Sequence, residues 1–391
     1  MLKHLMVFAL FLAIVVFGSA NEKPSRPVPE DIPAARIVAD PFPAPNGIAV
    51  DPTNNLVVVS DPNRKSLISY ARSGSATADG ATLPSRDIIG PNTYIGMVAG
   101  VMVDPDHQEI YTANNDIEDT IVVMPYSANG DSTPKRVLSV PHQAWGLALG
   151  SSTDQIAMSV EIFNAVVFYR REARGVEAPV RAIRGPRTRL ADPHGIYWDE
   201  AHSEIGVANH GNFRGVVENT GGGCVPVSKT EEPDEESGAF RPPSIAIFSS
   251  SAQGDQAPLR TIQGSLTHLD WPMGIASVPE HDEIAVANNG DNSILIFDRK
   301  HGGNVAPVRT IRGNLTGINR PMGIAVDAKN GEIWVSNYGD HSALAFDISA
   351  NGNIAPKRVL RSAPPGTPSP GFGNPMALAY DTKRGELLVP N

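Results

Sequence analysis

The chain has 391 residues, 41% of them hydrophobic, and carries a net charge of −10. That balance excludes nucleic acid as a partner, since phosphate neutralisation needs clustered Lys and Arg, and it disfavours an anionic membrane surface. A single cysteine, Cys224, excludes an intrachain disulfide.

In chain order, Lys3 and His4 precede an apolar run from Leu5 to Phe17, and Gly18-Ser19-Ala20 supplies small residues for cleavage. Residues 1–20 therefore read as a secretory signal peptide. After its removal no apolar run is long enough to span a membrane. The expected location is secreted or periplasmic. Residues 21–32 form an N-terminal segment, and residues 33–391 read as one domain.

That domain repeats one pattern with a period of about 49 residues. The clearest copy has Met273-Gly274-Ile275-Ala276, Glu283-Ile284-Ala285-Val286-Ala287-Asn288, Ser293-Ile294-Leu295-Ile296-Phe297 and Ala306-Pro307-Val308-Arg309-Thr310-Ile311. These read as four strands, A to D, running from axis to rim. Strand A is apolar throughout, as both its faces are to be buried. Strand C ends on an aromatic residue at Tyr70, Phe168, Phe248, Phe297 and Phe346. Strand D carries Pro-x-Arg, with arginines 86, 136, 181, 260, 309 and 358. A proline at the start of an outer strand is tolerated because that edge needs no donor, and it blunts edge-to-edge pairing.

The A strands are marked by Gly47, Gly100, Gly146, Gly195, Gly274, Gly323 and, with alanine in the glycine position, Ala377. Residues 33–38 look like a lone strand D, and residues 376–391 supply only strands A and B. The predicted fold is all-β: a seven-bladed β-propeller of four-stranded blades, its last blade closed by the N-terminal strand. The one long spacing, after Gly195, holds an insertion at about 213–243 containing Cys224 and the acidic run Glu231 to Glu236.

The ends of the B strands and the starts of the A strands meet at one mouth of a propeller channel. One residue per unit closes strand B: Asp61, Asn114, Val160, Asn209, Asn288, Asn337 and Asn391. The polar members could bind a ligand, or could cap their own turns through backbone hydrogen bonds. Departures from the repeat gather in the third and fourth units. Glu161 follows Val160, His142 and Trp145 precede a strand A, His194 stands where later units have Met273 and Met322, and His210 follows Asn209. Imidazoles with a carboxylate suit a divalent metal ion or general acid–base work. The metal-ligand candidates are His142, His194 and His210, and the ligand-binding candidates are Asp61, Asn114, Glu161, Asn209, Asn288 and Asn337. His107, His202 and His281 recur at one A–B turn position and read as turn residues at the opposite mouth.

The units Pro-Met-Gly-Ile-Ala-Val, Glu-Ile-Trp-Val-Ser-Asn, Ser-Ala-Leu-Ala-Phe-Asp and Ala-Pro-Val-Arg-Thr-Ile resemble NHL-type and YVTN-type propeller repeats over residues 33–391. The resemblance extends to gluconolactonase-like hydrolases, binding propellers of bacterial cell surfaces and a peptidyl-amidoglycolate lyase. It implies, for the lactonases, an Asn at a strand-B end near a divalent metal, a role open to Asn114, Asn209 or Asn288. Their axial Glu has no counterpart among Asn46, Ala99, Trp145, His194, Met273, Met322 and Met376. The lyase surrounds its metal with several His, of which only His194 has a comparable position.

No nucleophile elbow, zincin motif, paired-cysteine motif or phosphate-binding glycine loop occurs. The leading expectation is a non-enzymatic propeller binding a small molecule, carbohydrate or protein partner at one mouth. The alternative is a metal-dependent, lactonase-like hydrolase or lyase with its site in the channel.

Overall fold

The computed structural model describes residues 40–78, 80–116, 118–211, 241–369, 379–381, 383 and 386–388. The signal segment, the strand expected at 33–38, Asn391 and nearly all of the insertion, with Cys224, lie outside these residues. Residues 40–391 form one compact unit. Among the described residues no helix is long and apolar enough to cross a membrane.

Among the described residues, six four-stranded antiparallel sheets follow one another, each in the simple order A-B-C-D. Blade 1 runs from Ile48–Asp51 to Arg86–Ile88, and blade 2 from Val98–Asp104 to Arg136–Ser139. Blade 3 runs from Ala144–Gly150 to Arg181–Arg184, and blade 4 from Pro193–Asp199 to Arg260–Gln263. Blade 5 runs from Pro272–Val278 to Arg309–Ile311, and blade 6 from Pro321–Asp327 to Arg358–Arg361.

The core lies between blades, not within them. Tyr111 and Ile121 of blade 2 pack with Leu147 and Met158 of blade 3. The same construction joins blades 1 and 2, 3 and 4, 4 and 5, and 5 and 6. The sixth such core joins blade 6 to blade 1, with Trp334 and Leu360 against Ile48, Val57 and Tyr70. The aromatic residues that end the C strands, Tyr70, Phe168, Phe248, Phe297 and Phe346, are all buried in these layers.

This cycle corrects the expected seven blades to six. Gly323 of blade 6 donates its N–H to Asn46 O of blade 1 at 2.9 Å, and Ser336 Oγ donates to the same carbonyl. At the rim, Ala76 N–H donates to Val359 O at 2.6 Å and Thr82 N–H to Arg361 O at 2.8 Å. Blade 1 thus meets blade 6 directly. The final blade takes all four of its strands from Pro321–Asp327 through Arg358–Arg361. The unit expected at 376–391 contributes only a two-stranded hairpin, Ala379–Asp381 with Glu386–Leu388. Two strands cannot provide the buried faces that each blade offers its neighbours.

The Pro-x-Arg signature has a further cause. Arg136 reaches from strand D to Glu109 at the start of strand B, and Arg260, Arg309 and Arg358 reach Glu204, Glu283 and Glu332 in the same way. Blade 3 substitutes Gln155 for the carboxylate. There Arg181 lies 3.4 Å over the Phe168 ring, and burial pulls its pKa down to about 10.

Candidate functional site

The residues ending the B strands are turned into their own blades. Asn114, Asn209, Asn288 and Asn337 are fully buried. Each Oδ1 accepts a backbone N–H from the loop before its strand A: Gly96 at 2.9 Å, Ala191 at 3.1 Å, Asp270 at 2.7 Å and Asn319 at 3.1 Å. Their Nδ2 groups donate to Tyr94 O, Ser244 Oγ, His268 O and Gly317 O. These contacts latch the mouth loops.

Asp61 takes the same position in blade 1, accepting from Ala44 N at 2.8 Å, Asn63 N at 3.1 Å and Ser66 Oγ at 3.1 Å. Burial nevertheless raises its pKa to about 6. The folded state therefore keeps a proton that the unfolded chain releases near pH 3.8, and stability falls as pH rises from about 4 to 6. Asp61→Asn is expected to remove this decline, leaving the variant about 1–2 kcal/mol more stable than the parent at pH 8 and no more stable below pH 4. Urea unfolding across pH checks this, and superimposable pH profiles would refute it.

The departures from the repeat do converge, with one exchange of membership. Strand A of blade 4 pairs Pro193 with Asn209, then shifts register before Ile196. This bulge re-aims His194 and leaves it beside His210, the residue after Asn209. The two imidazoles stack with centroids 3.4 Å apart and planes at 18°. Trp145 of blade 3 lies 4.4 Å from His194, and Trp271 of blade 5 lies 5.0 Å from His210. Both histidines are almost buried, whereas Trp271 is 60% exposed.

Each imidazole nitrogen faces an acceptor. His194 Nε2 is 2.9 Å from Glu161 Oε1, and His194 Nδ1 is 3.0 Å from Asp192 O and 3.7 Å from Asp192 Oδ1. His210 Nδ1 is 3.6 Å from Asp192 Oδ2, and His210 Nε2 is 2.7 Å from Met273 Sδ. Burial, reinforced by the neighbouring His194, lowers the His210 pKa to about 4, so its ring is neutral near pH 7. Among the described residues, Asp192, His194 and His210 form the one group whose ligand atoms lie close enough together to share a metal ion.

His142 is engaged elsewhere, with Nδ1 2.8 Å from Asp119 Oδ1 and Nε2 3.9 Å from Asp116 Oδ1 on the B–C loop of blade 2. Asp192 is the residue sequence reasoning passed over. Its signal was the four-residue frame that opens each later strand A: Asp192-Pro193-His194-Gly195, Trp271-Pro272-Met273-Gly274 and Arg320-Pro321-Met322-Gly323. Asp192, Trp271 and Arg320 all adopt positive φ, near 50–56°. At position three, Met273 and Met322 line the axial cavity, whereas His194 stacks on His210 instead. His107 and His202 bind the carboxylates of Asp104 and Asp199 in their own A–B turns, and His281 lies near Glu283.

Below the mouth, the axial cavity is about 70 Å³, lined by Asn46, Ala99, Trp145, Met273, Met322 and the A-strand glycines. Pockets that enclose organic ligands are typically about 300–1,000 Å³. The channel described is therefore too small to enclose an organic ligand.

No family model and no curated protein matches the chain. Among solved structures it is similar to hydrazine synthase of Kuenenia stuttgartiensis, with a TM-score of 0.53 and 14% identity, over 92% of this chain and 98% of that one. That neighbour is a β-propeller. So is this chain. At that identity the likeness is one of fold alone.

Proposed function

We propose that this chain is an extracytoplasmic, NHL-like propeller that binds a ligand at the blade 3–5 side of its channel mouth without transforming it. The observation that carries this reading is the exposed Trp271 ring, stacked on His210, whose own Nδ1 faces the Asp192 carboxylate. An exposed flat aromatic face, with a carboxylate acceptor on the histidine it stacks against, fits a polyhydroxylated ligand, which stacks its C–H face and donates its hydroxyls. Export is supported by the apolar leader from Leu5 to Phe17. All four imidazole nitrogens of the stack face protein acceptors, which favours binding over proton transfer.

The test is a glycan array followed by calorimetry on the saccharides retained. Trp271→Ala is expected to weaken binding about tenfold or more, the equivalent of roughly 1.4 kcal/mol. Failure of the wild-type protein to bind any saccharide, or equal binding by the variant, would sink the reading. A metal-dependent hydrolase or lyase is the second reading, favoured by the Glu161–His194 pair at 2.9 Å. Lactone or ester turnover lost in Glu161→Gln would establish it instead.

A further inference from the structure

We infer that Asp192, His194 and His210 form a binding site for one late first-row divalent metal ion, of the Zn²⁺ class, with Glu161 and Met273 orienting the two imidazoles. The four nitrogens of the two imidazoles face four acceptor groups: Glu161 Oε1, Met273 Sδ, and Asp192 through both its carbonyl and its carboxylate. His194 Nδ1 donates to Asp192 O at 3.0 Å in the metal-free protein, and a metal taking that nitrogen would shift the proton to Nε2, 2.9 Å from Glu161 Oε1. Both Nδ1 atoms then face the Asp192 carboxylate.

The spacing suits a cation in that gap. Zinc binds imidazole nitrogen at about 2.0–2.1 Å and carboxylate oxygen at about 2.0–2.2 Å, so two ligands meeting near a tetrahedral angle stand roughly 3.4 Å apart. The Nδ1-to-carboxylate distances are 3.7 Å for His194 and 3.6 Å for His210. Ligating histidines commonly give their other N–H to a carboxylate or another acceptor, which fixes the tautomer. Glu161 and Met273 occupy those places. Glu161 Oε1 is also buried and accepts no well-aligned hydrogen bond, the condition of a group whose donor is not yet correctly turned.

An imidazole coordinates in its own plane, so metal binding must turn the stacked rings apart. Trp145 and Trp271, packed on the outer faces of the pair, would report that movement by fluorescence. The frame explains how the set is assembled. Blade 4 supplies Asp192 and His194 from positions one and three, and His210 from the end of its strand B. Blades 3 and 5 supply the orienting groups.

The experiment uses the full chain after chelator treatment, titrated with Zn²⁺ alone. Elemental analysis gives stoichiometry, tryptophan fluorescence gives affinity, and thermal unfolding gives the ligand-linked shift. One Zn²⁺ per chain is expected, with a rise in melting temperature. Binding should weaken by at least about 100-fold in Asp192→Asn and His210→Gln, and by about 10–100-fold in Glu161→Gln. His142→Ala should bind as the parent does. Metal-free unfolding curves establish that each variant is folded, and the half-exposed Asp192→Asn decides the matter if His210→Gln is not. No saturable uptake at micromolar Zn²⁺, or uptake unchanged in Asp192→Asn, overturns the inference. Metal and saccharide are separable: metal-loaded protein that ignores saccharides overturns only the ligand reading. Metal-free protein that takes up no Zn²⁺ but retains saccharide binding overturns only the metal.

Discussion

Gly195→Ala is expected to destabilise the propeller by about 3 kcal/mol, at the upper end of the usual cost of overpacking. A Cβ on Gly195 would lie 2.3 Å from Met273 O, 2.9 Å from Ile275 N and 3.0 Å from Gly274 Cα. All three atoms are backbone of the next blade, so no rotamer change relieves the collision and the two blades must part. The same contact recurs around the axis. Gly47 meets Ala99, Gly100 meets Trp145, Gly146 meets His194, Gly274 meets Met322, and Gly323 meets Asn46 and Ile48. Gly302→Ala, at the rim, is the control. Its Cβ would first touch Arg260 Cβ at 3.1 Å, and a change within about 0.5 kcal/mol is expected. Equal urea midpoints for the two variants would refute the argument.

That ring of contacts also explains what the sequence disclosed about the fold and what it concealed. Strand order, blade length and the aromatic ends of the C strands were legible because each is set within one repeat. Blade number is set by which unit meets which, and a repeat count is blind to that. One clue was present: Ala377 stands where the six blades have glycine, and a Cβ at that position has no place in the axial ring. The Pro-x-Arg motif was legible as an edge device, but its salt-bridge partner sits on strand B, some 26 residues earlier in blades 5 and 6. At the mouth, His194, His210 and Glu161 were found as interruptions of a pattern. Asp192 was missed because its position varies freely among blades and so interrupts nothing. The grouping of His142 with them failed for a different reason, since Asp119 lies on its own side of the mouth and captures it.

Glu109→Ala is expected to cost about 3 kcal/mol, because it removes the bidentate partner of the buried Arg136 and leaves it only the half-exposed Glu172 at 3.3 Å. Glu109 is 1% exposed. Its oxygens accept from Arg136 Nη1 at 2.9 Å, Arg136 Nη2 at 2.6 Å and Tyr111 Oη at 2.7 Å, and Lys135 ion-pairs with it as well. Arg171 of blade 3 stands 3.7 Å away and binds Asp154 and Glu172, tying the pair to the next blade. Burial alone would raise the Glu109 pKa, but hydrogen bonds from Arg136, Lys135 and Tyr111 outweigh it and hold the carboxyl at about 2. A depressed carboxyl stabilises the fold above its ordinary pKa and loses that contribution as pH falls toward 2. The penalty for Glu109→Ala should therefore be constant above about pH 4.5 and shrink below it. Glu109→Leu with Arg136→Met should recover much of the loss, since an apolar pair of similar volume removes both charges together. Arg170→Ala, which breaks an exposed pair with Glu177, should cost about 0–1 kcal/mol. A Glu109→Ala loss no larger than that of Arg170→Ala would mean the buried pair sets blade register without adding to stability.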